Sequence, residues 1–297
     1  MKRRPWSQHP RILAARSRSR ATEVAVRMAE GYRLHSTNRN AAVIAHYGFI
    51  SIFPLFLVFT TVLGFLLQGN ESMQANIVDS ALAQLPIIGN TLATSPEELK
   101  GSIVALGLGL AIALWSGTKA FLAMQAALDD IHEIDLDDRL SFVAARLRAL
   151  AAILIVGVAL VSSTFITVEV GNSDYILVGK LMLLIAAAVV NGLVAAASYR
   201  WLCSTPSTWR DVAPGAATTG VAFAVLQLLG STLVTRWITN AESVYGSLGA
   251  VIALFAWLGF HATAGLLGAE LNRALLSTRP LPAEGLRAGG VATPPTA

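Results

Sequence analysis

The segment Ser243–Ala269 reads SVYGSLGAVIALFAWLGFHATAGLLGA, and none of its 27 residues is charged. A bilayer core about 30 Å thick is crossed by roughly 20 residues of helix, so this segment can span a membrane with some tilt. Lipid offers no hydrogen bonds to backbone groups, and the segment lacks the alternation of a β-strand. It therefore predicts a transmembrane helix.

Five other runs of 18 residues or more are also free of charge. They are Ala41–Leu67, Gly101–Thr118, Ala149–Val168, Leu181–Tyr199 and Val212–Thr235. Only 13% of the 297 residues are charged, whereas soluble domains carry about 25%. The chain is therefore predicted to be all-α, a polytopic membrane protein with six transmembrane helices.

The distribution of basic residues predicts the orientation of these helices. Nineteen of the 22 Lys and Arg residues lie in the two terminal tails and in the loops after the second and fourth predicted helices. The remaining three loops carry Lys100, Lys180 and Arg236, one each. Because cytoplasmic segments are enriched in Lys and Arg, both termini are predicted to be cytoplasmic.

The chain divides into three predicted parts. Residues 1–40 form a basic cytoplasmic tail that includes a short interfacial helix over Ala21–Leu34. Residues 41–275 form the six-helix membrane domain. Residues 276–297 are rich in Pro, Gly and Ala and are predicted to be a disordered cytoplasmic tail.

The N-terminal tail begins MKRRPWSQHPRILAARSRSR, with seven basic residues and no acid. Such a tail is compatible with binding to nucleic acid or to lipid. Ahead of a membrane span we expect it to lie on anionic headgroups, where each basic side chain contributes about 1 kcal/mol. Membrane lipids are therefore the expected partners, and no nucleic-acid partner is expected.

Lys119 follows an apolar run and precedes another, Ala120–Leu128. It either snorkels to the headgroups or faces a protein interior, and an interior position would require a partner. Predicted depth places Glu270, His46 and Asp211 in the same cytoplasmic half of the membrane. These four residues form a candidate intramembrane polar cluster, with a Lys119–Glu270 ion pair as its centre. The pair is interpreted either as a structural lock or as a gate beside an anionic headgroup.

Three further polar residues lie deeper in predicted helices: Asn191, Gln227 and His261. We expect them to form hydrogen bonds between helices rather than to bind ligands. The only cysteine, Cys203, lies in a predicted cytoplasmic loop and permits no internal disulfide.

A run of acids follows the second predicted helix. It contains Asp129, Asp130, Glu133, Asp135, Asp137 and Asp138. These acids suggest magnesium binding, but they follow no ligand spacing, and a solvated connector with Asp137 or Asp138 capping the third helix is the preferred interpretation. No metal, cofactor or catalytic residue is predicted.

Four stretches resemble the YihY/BrkB family of bacterial inner-membrane proteins. They are AHYGFISIFPLFLVFTTVLGFL (Ala45–Leu66), LWSGTKAFLAMQAAL (Leu114–Leu128), WRDVAPGA (Trp209–Ala216) and YGSLGAVIALFAWLGFHATAGLLGAELN (Tyr245–Asn272). The resemblance implies a six-helix fold with cytoplasmic termini in the bacterial inner membrane. It also implies a role in envelope integrity, with transport of lipid or another envelope component.

Two residues of the candidate cluster coincide with family positions. Lys119 falls where the family has a basic residue, and Glu270 falls on the family's Gly-Ala-Glu-Leu. The sequence LDDIHE (Leu128–Glu133) departs from the family, which has Asn and a basic residue after the leucine. Family names include a virulence factor and an older ribonuclease BN label.

Three functions follow as hypotheses. The preferred one is a non-enzymatic protein that transports or organises envelope lipid. An enzyme, with the ribonuclease label as its concrete form, would need clustered carboxylates or histidines. The five histidines are scattered, and His132 and Glu133 offer only a dyad. A scaffold for envelope assembly that transports nothing is the third.

Overall fold

The computed structural model describes residues 19–66, 103–153, 178–245 and 247–278, together with positions 16 and 155. Most of the predicted third span and the C-terminal tail after Thr278 lie outside these residues, as does most of the basic tail before Ser19.

Every regular element in these ranges is helical. The elements are α1 (Arg20–Leu34), α2 (Thr37–Leu66), α3 (Ile103–Ile131), a 3₁₀ turn (Leu136–Asp138), α4 (residues 142–153), α5 (Val178–Leu202), α6 (Trp209–Tyr245) and α7 (Ser247–Ser277). The prediction of a helical protein is confirmed for this part of the chain.

Three helices in the described residues are long and apolar enough to cross a membrane. The segments are Gly107–Ile131 in α3, Leu184–Leu202 in α5 and Val251–Ser277 in α7. They correspond to the second, fourth and sixth predicted spans. Helices α2 and α6 cover the first and fifth predicted runs, and the count of six spans stays a prediction.

Helices α5, α6 and α7 pack at very short backbone distances. A Cβ atom added at Gly220 of α6 would overlap the carbonyl oxygen of Ala188 in α5. One added at Gly215 of α6 would overlap the carbonyl oxygen of Gly268 in α7. Small residues allow such contacts, which replace the hydrophobic driving force that is missing between helices in lipid.

Four chain segments meet at one end of the bundle, which we call the polar end. They are the α1–α2 turn, the residues after α3, the α5–α6 connection and the last turns of α7. His35 contacts Glu270, Glu133 contacts Arg273, and Ser204 contacts Asp129. These are the four segments that the charge distribution assigns to one side of the membrane.

The predicted interfacial helix Ala21–Leu34 forms as α1. It packs against α7, and the Arg27 guanidinium donates to the carbonyl oxygen of Ser277 at 3.3 Å. Val24 of α1 is buried. The helix is therefore docked on α7 along one face.

Candidate functional site

Glu270, in α7, is the centre of a buried polar group at the polar end. Only 1% of this residue is exposed. The Nδ1–H of His35 donates to Glu270 Oε1 at 2.9 Å, and the hydroxyl of Thr37 donates to the same oxygen at 2.8 Å. A carboxylate in such a position needs these donors, because an unpaired buried charge is costly. We call Glu270, His35 and Thr37 the buried carboxylate cluster.

Gly31 of α1 lies directly against this carboxylate. A Cβ atom at position 31 would overlap Glu270 Oε2. The carboxylate is held by two hydrogen bonds, so it has little freedom to move away. A glycine is therefore required here for the close approach of α1 to α7.

His35 lies between two carboxylates, Glu270 of α7 and Glu133 of the segment after α3. Its Nδ1 contacts Glu270, while its Nε2 is 3.6 Å from Glu133 Oε1. The hydrogen bond to Glu270 raises the pKa of His35 above its ordinary value of 6.5, against the opposing effect of burial. The imidazolium form thus links α1 to α7 and to the segment after α3.

The backbone at Glu133 and at Ser36 adopts the left-handed conformation, with φ of 56° and 52°. After α3, the Glu133 amide donates to the Asp130 carbonyl and the Ile134 amide to the Asp129 carbonyl, each at 3.0 Å. This pattern is a Schellman motif, whose left-handed position is usually glycine. Here that position is occupied by Glu133, whose side chain forms an ion pair with Arg273 at 3.0 Å. Strained non-glycine residues of this kind often mark functional regions.

The prediction of a solvated acidic connector is wrong for Asp129 and Asp130, whereas Glu133 is exposed as predicted. Asp129 is buried and accepts hydrogen bonds from the Ser204 amide and hydroxyl at 2.8 and 2.7 Å. Asp130 accepts from Arg139 at 2.8 Å and from Asn40 at 3.3 Å. Asp129 and Asp130 belong to the last turn of α3, which ends at Ile131. Their side chains therefore contact neighbouring segments of the protein.

The second half of the acidic run is exposed, as predicted. Residues Asp135, Asp137 and Asp138 lie in or beside the 3₁₀ turn. Neither Asp137 nor Asp138 caps α4, because the Ser141 hydroxyl lies at the N-cap and accepts from the Ala144 amide at 3.5 Å. Within the described residues, no group of three His, Cys, Asp or Glu side chains is arranged to hold a metal ion.

The predicted ion pair between Lys119 and Glu270 does not form. The Lys119 ammonium lies over the rings of Trp115 and Tyr47, 5.2 and 5.7 Å from their centroids. Helix α3 continues for twelve residues beyond Lys119 to Ile131, a distance of about 18 Å. Glu270 contacts His35, which also approaches Glu133, so Glu270 is level with the far end of α3.

The other members of the candidate polar cluster are also apart. His46 is exposed on α2, with its ring 5.5 Å from that of Tyr47. Asp211 lies in the first turn of α6 and accepts from the Thr208 hydroxyl at 2.6 Å and from its amide at 3.2 Å. Asp211 is thus the acidic member of a capping interaction. Predicted depth along a helix carries no information about the direction that each side chain faces.

An apolar cavity of about 260 Å³ lies between α2, α3, α5, α6 and α7. Of the residues predicted to form interhelical hydrogen bonds, Asn191 and His261 line it, whereas Gln227 is exposed. The His261 Nδ1 donates to Trp257 O at 3.0 Å in its own helix, and its ring contacts Phe223 of α6. Among the described residues, the Asn191 side chain has no hydrogen-bond partner.

Tyr199 forms interhelical hydrogen bonds of the kind that were predicted for Asn191, Gln227 and His261. Its hydroxyl, at the cavity wall, donates to the Gly265 carbonyl at 2.5 Å and lies 2.7 Å from the Thr219 hydroxyl. It thereby joins α5, α6 and α7. Sequence reasoning missed this residue because a tyrosine near a helix end is typical of the membrane interface.

His35, Thr37 and Gly31 were also missed as site residues. They precede the first charge-free run, where a hydropathy pattern gives no signal. The available signal was topological, because the N-terminal tail and the end of the last helix were assigned to the same side. A buried Glu at the end of that helix then requires donors from the tail.

Comparisons with known proteins agree on one family. The family model described as "Virulence factor BrkB" matches residues 28–287. The chain is 26% identical over 267 residues to "Putative ribonuclease-like protein YfkH" of Bacillus subtilis (strain 168), covering 85% of this chain and 95% of that protein. No solved structure matches the chain.

The family match includes every helix described above except the first half of α1. It extends over the buried carboxylate cluster, the cavity and the apolar helices that can cross a membrane. The match therefore agrees with the resemblance found in the sequence. The chain belongs to the BrkB virulence factor family of membrane proteins.

Proposed function

We propose that this chain is a multi-pass protein of the bacterial cytoplasmic membrane that transports or organises a lipid, or another envelope component, in support of envelope integrity. Both termini are cytoplasmic in this proposal. The observation that carries it is the apolar cavity lined by α2, α3, α5, α6 and α7.

The chemistry of the cavity fits part of a lipid. Its wall is mainly aliphatic and aromatic, with Phe121, Phe223 and Leu258 among the lining residues. Asn191 and His261 add polar groups that could orient a glycerol or ester group. Its volume is below the roughly 300–1,000 Å³ of typical small-molecule sites, so a segment of an acyl chain suits it better than a whole lipid.

Reconstitution in liposomes tests the proposal, with fluorescent lipids reporting movement between leaflets. Gly48 lines the cavity, and a Cβ atom there would meet nothing within 4 Å. Gly48→Leu should fold and partly fill the cavity, and lipid movement should fall toward the rate of empty liposomes.

The matched control is Gly259→Leu in α7. A Cβ atom at Gly259 also meets nothing within 4 Å, and Gly259 is not part of the cavity wall. The control should move lipid at the wild-type rate. Equal rates for wild type, both variants and empty liposomes would contradict transport and favour an assembly scaffold.

RNA cleavage is the second candidate, since the B. subtilis relative is named a ribonuclease-like protein. In this chain His132 Nδ1 donates to the carbonyl oxygen of Leu128, and Glu133 pairs with Arg273. Neither arrangement activates water or holds a metal. Purified protein should therefore show no RNA cleavage that His132→Ala abolishes, and such a loss in a folded variant would favour the enzyme.

A further inference from the structure

Two cations from different helices share one aromatic ring. The Lys119 ammonium of α3 lies 5.2 Å from the centroid of Trp115, and the Arg146 guanidinium carbon of α4 lies 5.6 Å from the same centroid. Arg146 also lies 4.4 Å from the ring of Phe142. These distances are within the range of cation–π attraction. We call Lys119, Arg146 and Trp115 the cation–aromatic cluster.

No acid neutralises these charges in the described part of the chain. The carboxylates that form ion pairs there bind Arg16, Arg27, His35, Arg139 and Arg273, and none of them binds Lys119 or Arg146. The Nε–H of Arg146 is buried and has no hydrogen-bond partner. The two cations thus carry positive charge that no carboxylate of the described residues offsets, and an anion from outside the protein would neutralise it.

The surface around the cluster is apolar. Trp115 itself is 59% exposed, and Phe142, Val143 and Leu147 of α4 are more exposed still. Exposed side chains of this kind on helices that can enter a membrane face lipid, and tryptophan favours the headgroup level. Arg146 lies about one turn after the start of α4, and Lys119 lies twelve residues before the end of α3. The cluster therefore lies about 18 Å along α3 from its terminus at the polar end.

We propose that the cation–aromatic cluster binds the phosphate of an anionic phospholipid in the leaflet at the polar end, which is the cytoplasmic leaflet in the predicted orientation. The ammonium and the guanidinium bind the phosphate oxygens. Trp115 holds the two cations in place, and the exposed apolar side chains contact the acyl chains.

This proposal deepens the proposed function by assigning an anionic headgroup to the lipid, and it rests on that function for lipid as the partner. The cluster adjoins the cavity, because Ala120 and Phe121, which follow Lys119, line the cavity wall. Lipid binding and lipid movement between leaflets are measured in separate experiments. Either proposal can therefore be contradicted without the other.

Native mass spectrometry of the purified full chain tests the site. The probes are phosphatidylglycerol, phosphatidylcholine and inorganic phosphate, added separately to delipidated protein in detergent. Wild type should retain phosphatidylglycerol in preference to phosphatidylcholine. Lys119→Gln and Arg146→Gln should each weaken that binding about fivefold, the effect of one basic side chain near an anionic surface.

The matched control is the double variant Arg20→Gln, Arg210→Gln, compared with Lys119→Gln, Arg146→Gln. Both doubles lose two positive charges, but Arg20 and Arg210 are exposed and lie outside the cluster. Lys119→Arg tests retention of charge and should keep the binding. A thermal melt without lipid reports folding of every variant.

Three outcomes would overturn the proposal. The first is equal phosphatidylglycerol binding by both double variants. The second is loss of binding in Lys119→Arg with an unchanged melting temperature. The third is wild-type binding of inorganic phosphate with no preference for the anionic lipid, which would assign the site to a soluble anion.

Discussion

The Nδ1–H of His35 donates to the buried Glu270 carboxylate at 2.9 Å, and this bond fastens the turn after α1 to the last helix. The two residues are separated by 235 positions in the chain. Thr37, the first residue of α2, binds the same carboxylate oxygen. The first and last described helices are thus joined through one buried charge.

Loss of this charge should strongly destabilise the protein. Glu270→Ala leaves a buried imidazolium and the Thr37 hydroxyl without their acceptor, and breaking a buried pair costs about 3–5 kcal/mol. Thermal unfolding in detergent measures the effect, with the exposed Asp137→Ala as the control for loss of a carboxylate. A stable Glu270→Ala protein would show that the cluster contributes little to folding.

Gly31→Ala should destabilise the protein through contact with the same carboxylate. An added Cβ atom overlaps Glu270 Oε2, whereas at Gly107 it meets nothing within 4 Å. Gly107→Ala should therefore be neutral or stabilising by up to about 1 kcal/mol, as expected for glycine inside a helix. The loss of stability caused by Gly31→Ala should be smaller in the Glu270→Ala protein than in the wild type, because the carboxylate that the added Cβ atom would overlap is gone.

The stability contributed by His35 should decrease as the pH rises. Its pKa is raised in the folded protein by the hydrogen bond to Glu270. A raised pKa gives stability that is fully present below the ordinary value of 6.5 and is lost as the pH passes through the folded pKa. The difference in melting temperature between wild type and His35→Gln should be largest below pH 6.5 and should shrink as the pH rises above that value. A difference that grows with pH would contradict the assigned charge.

Glycine should be better than alanine at position 133. The left-handed backbone of Glu133 costs a residue with a Cβ atom about 1 kcal/mol, and both substitutions remove the ion pair with Arg273 equally. Glu133→Gly should thus unfold at a higher temperature than Glu133→Ala. At Glu30, inside α1, the order should be reversed, because alanine is the better helix former.

A reporter that is active only in the cytoplasm should be active when fused after Ser277 and silent when inserted near Gly89. The charge distribution along the sequence is the reason for this expectation. Activity at Gly89 alone would reverse the orientation and would move the cation–aromatic cluster to the outer leaflet.

The helices were predictable from the sequence because length and absence of charge are properties of continuous segments. The runs at Ala41, Gly101, Leu181, Val212 and Ser243 all lie within or largely within helices of the structure. Hydropathy also located Glu270 and Lys119 at helix positions correctly. It could not show the direction that each side chain faces or its exact level in the bundle. Lys119 and Glu270 were therefore paired, although Glu270 lies level with the far end of α3, about 18 Å along the helix from Lys119.

The site was less predictable because its residues come from segments with weak patterns. His35 and Thr37 precede the first apolar run, and Asp129 was read as part of the exposed acidic run. In the structure each is buried by a segment distant in sequence. Such contacts require the packing of α1, α7 and the α5–α6 connection, which no local pattern contains.

The close glycine contacts among α5, α6 and α7 have a mechanical consequence. Backbone atoms fix the spacing at Gly192 and Gly220 and at Gly215 and Gly268, so these three helices form a stiff wall of the cavity. The opposite wall, from α2 and α3, meets α7 through side chains such as Phe49 and Phe255, which can change rotamer. We therefore expect any opening of the cavity to displace the α2–α3 pair as a unit, while the other three helices keep their positions.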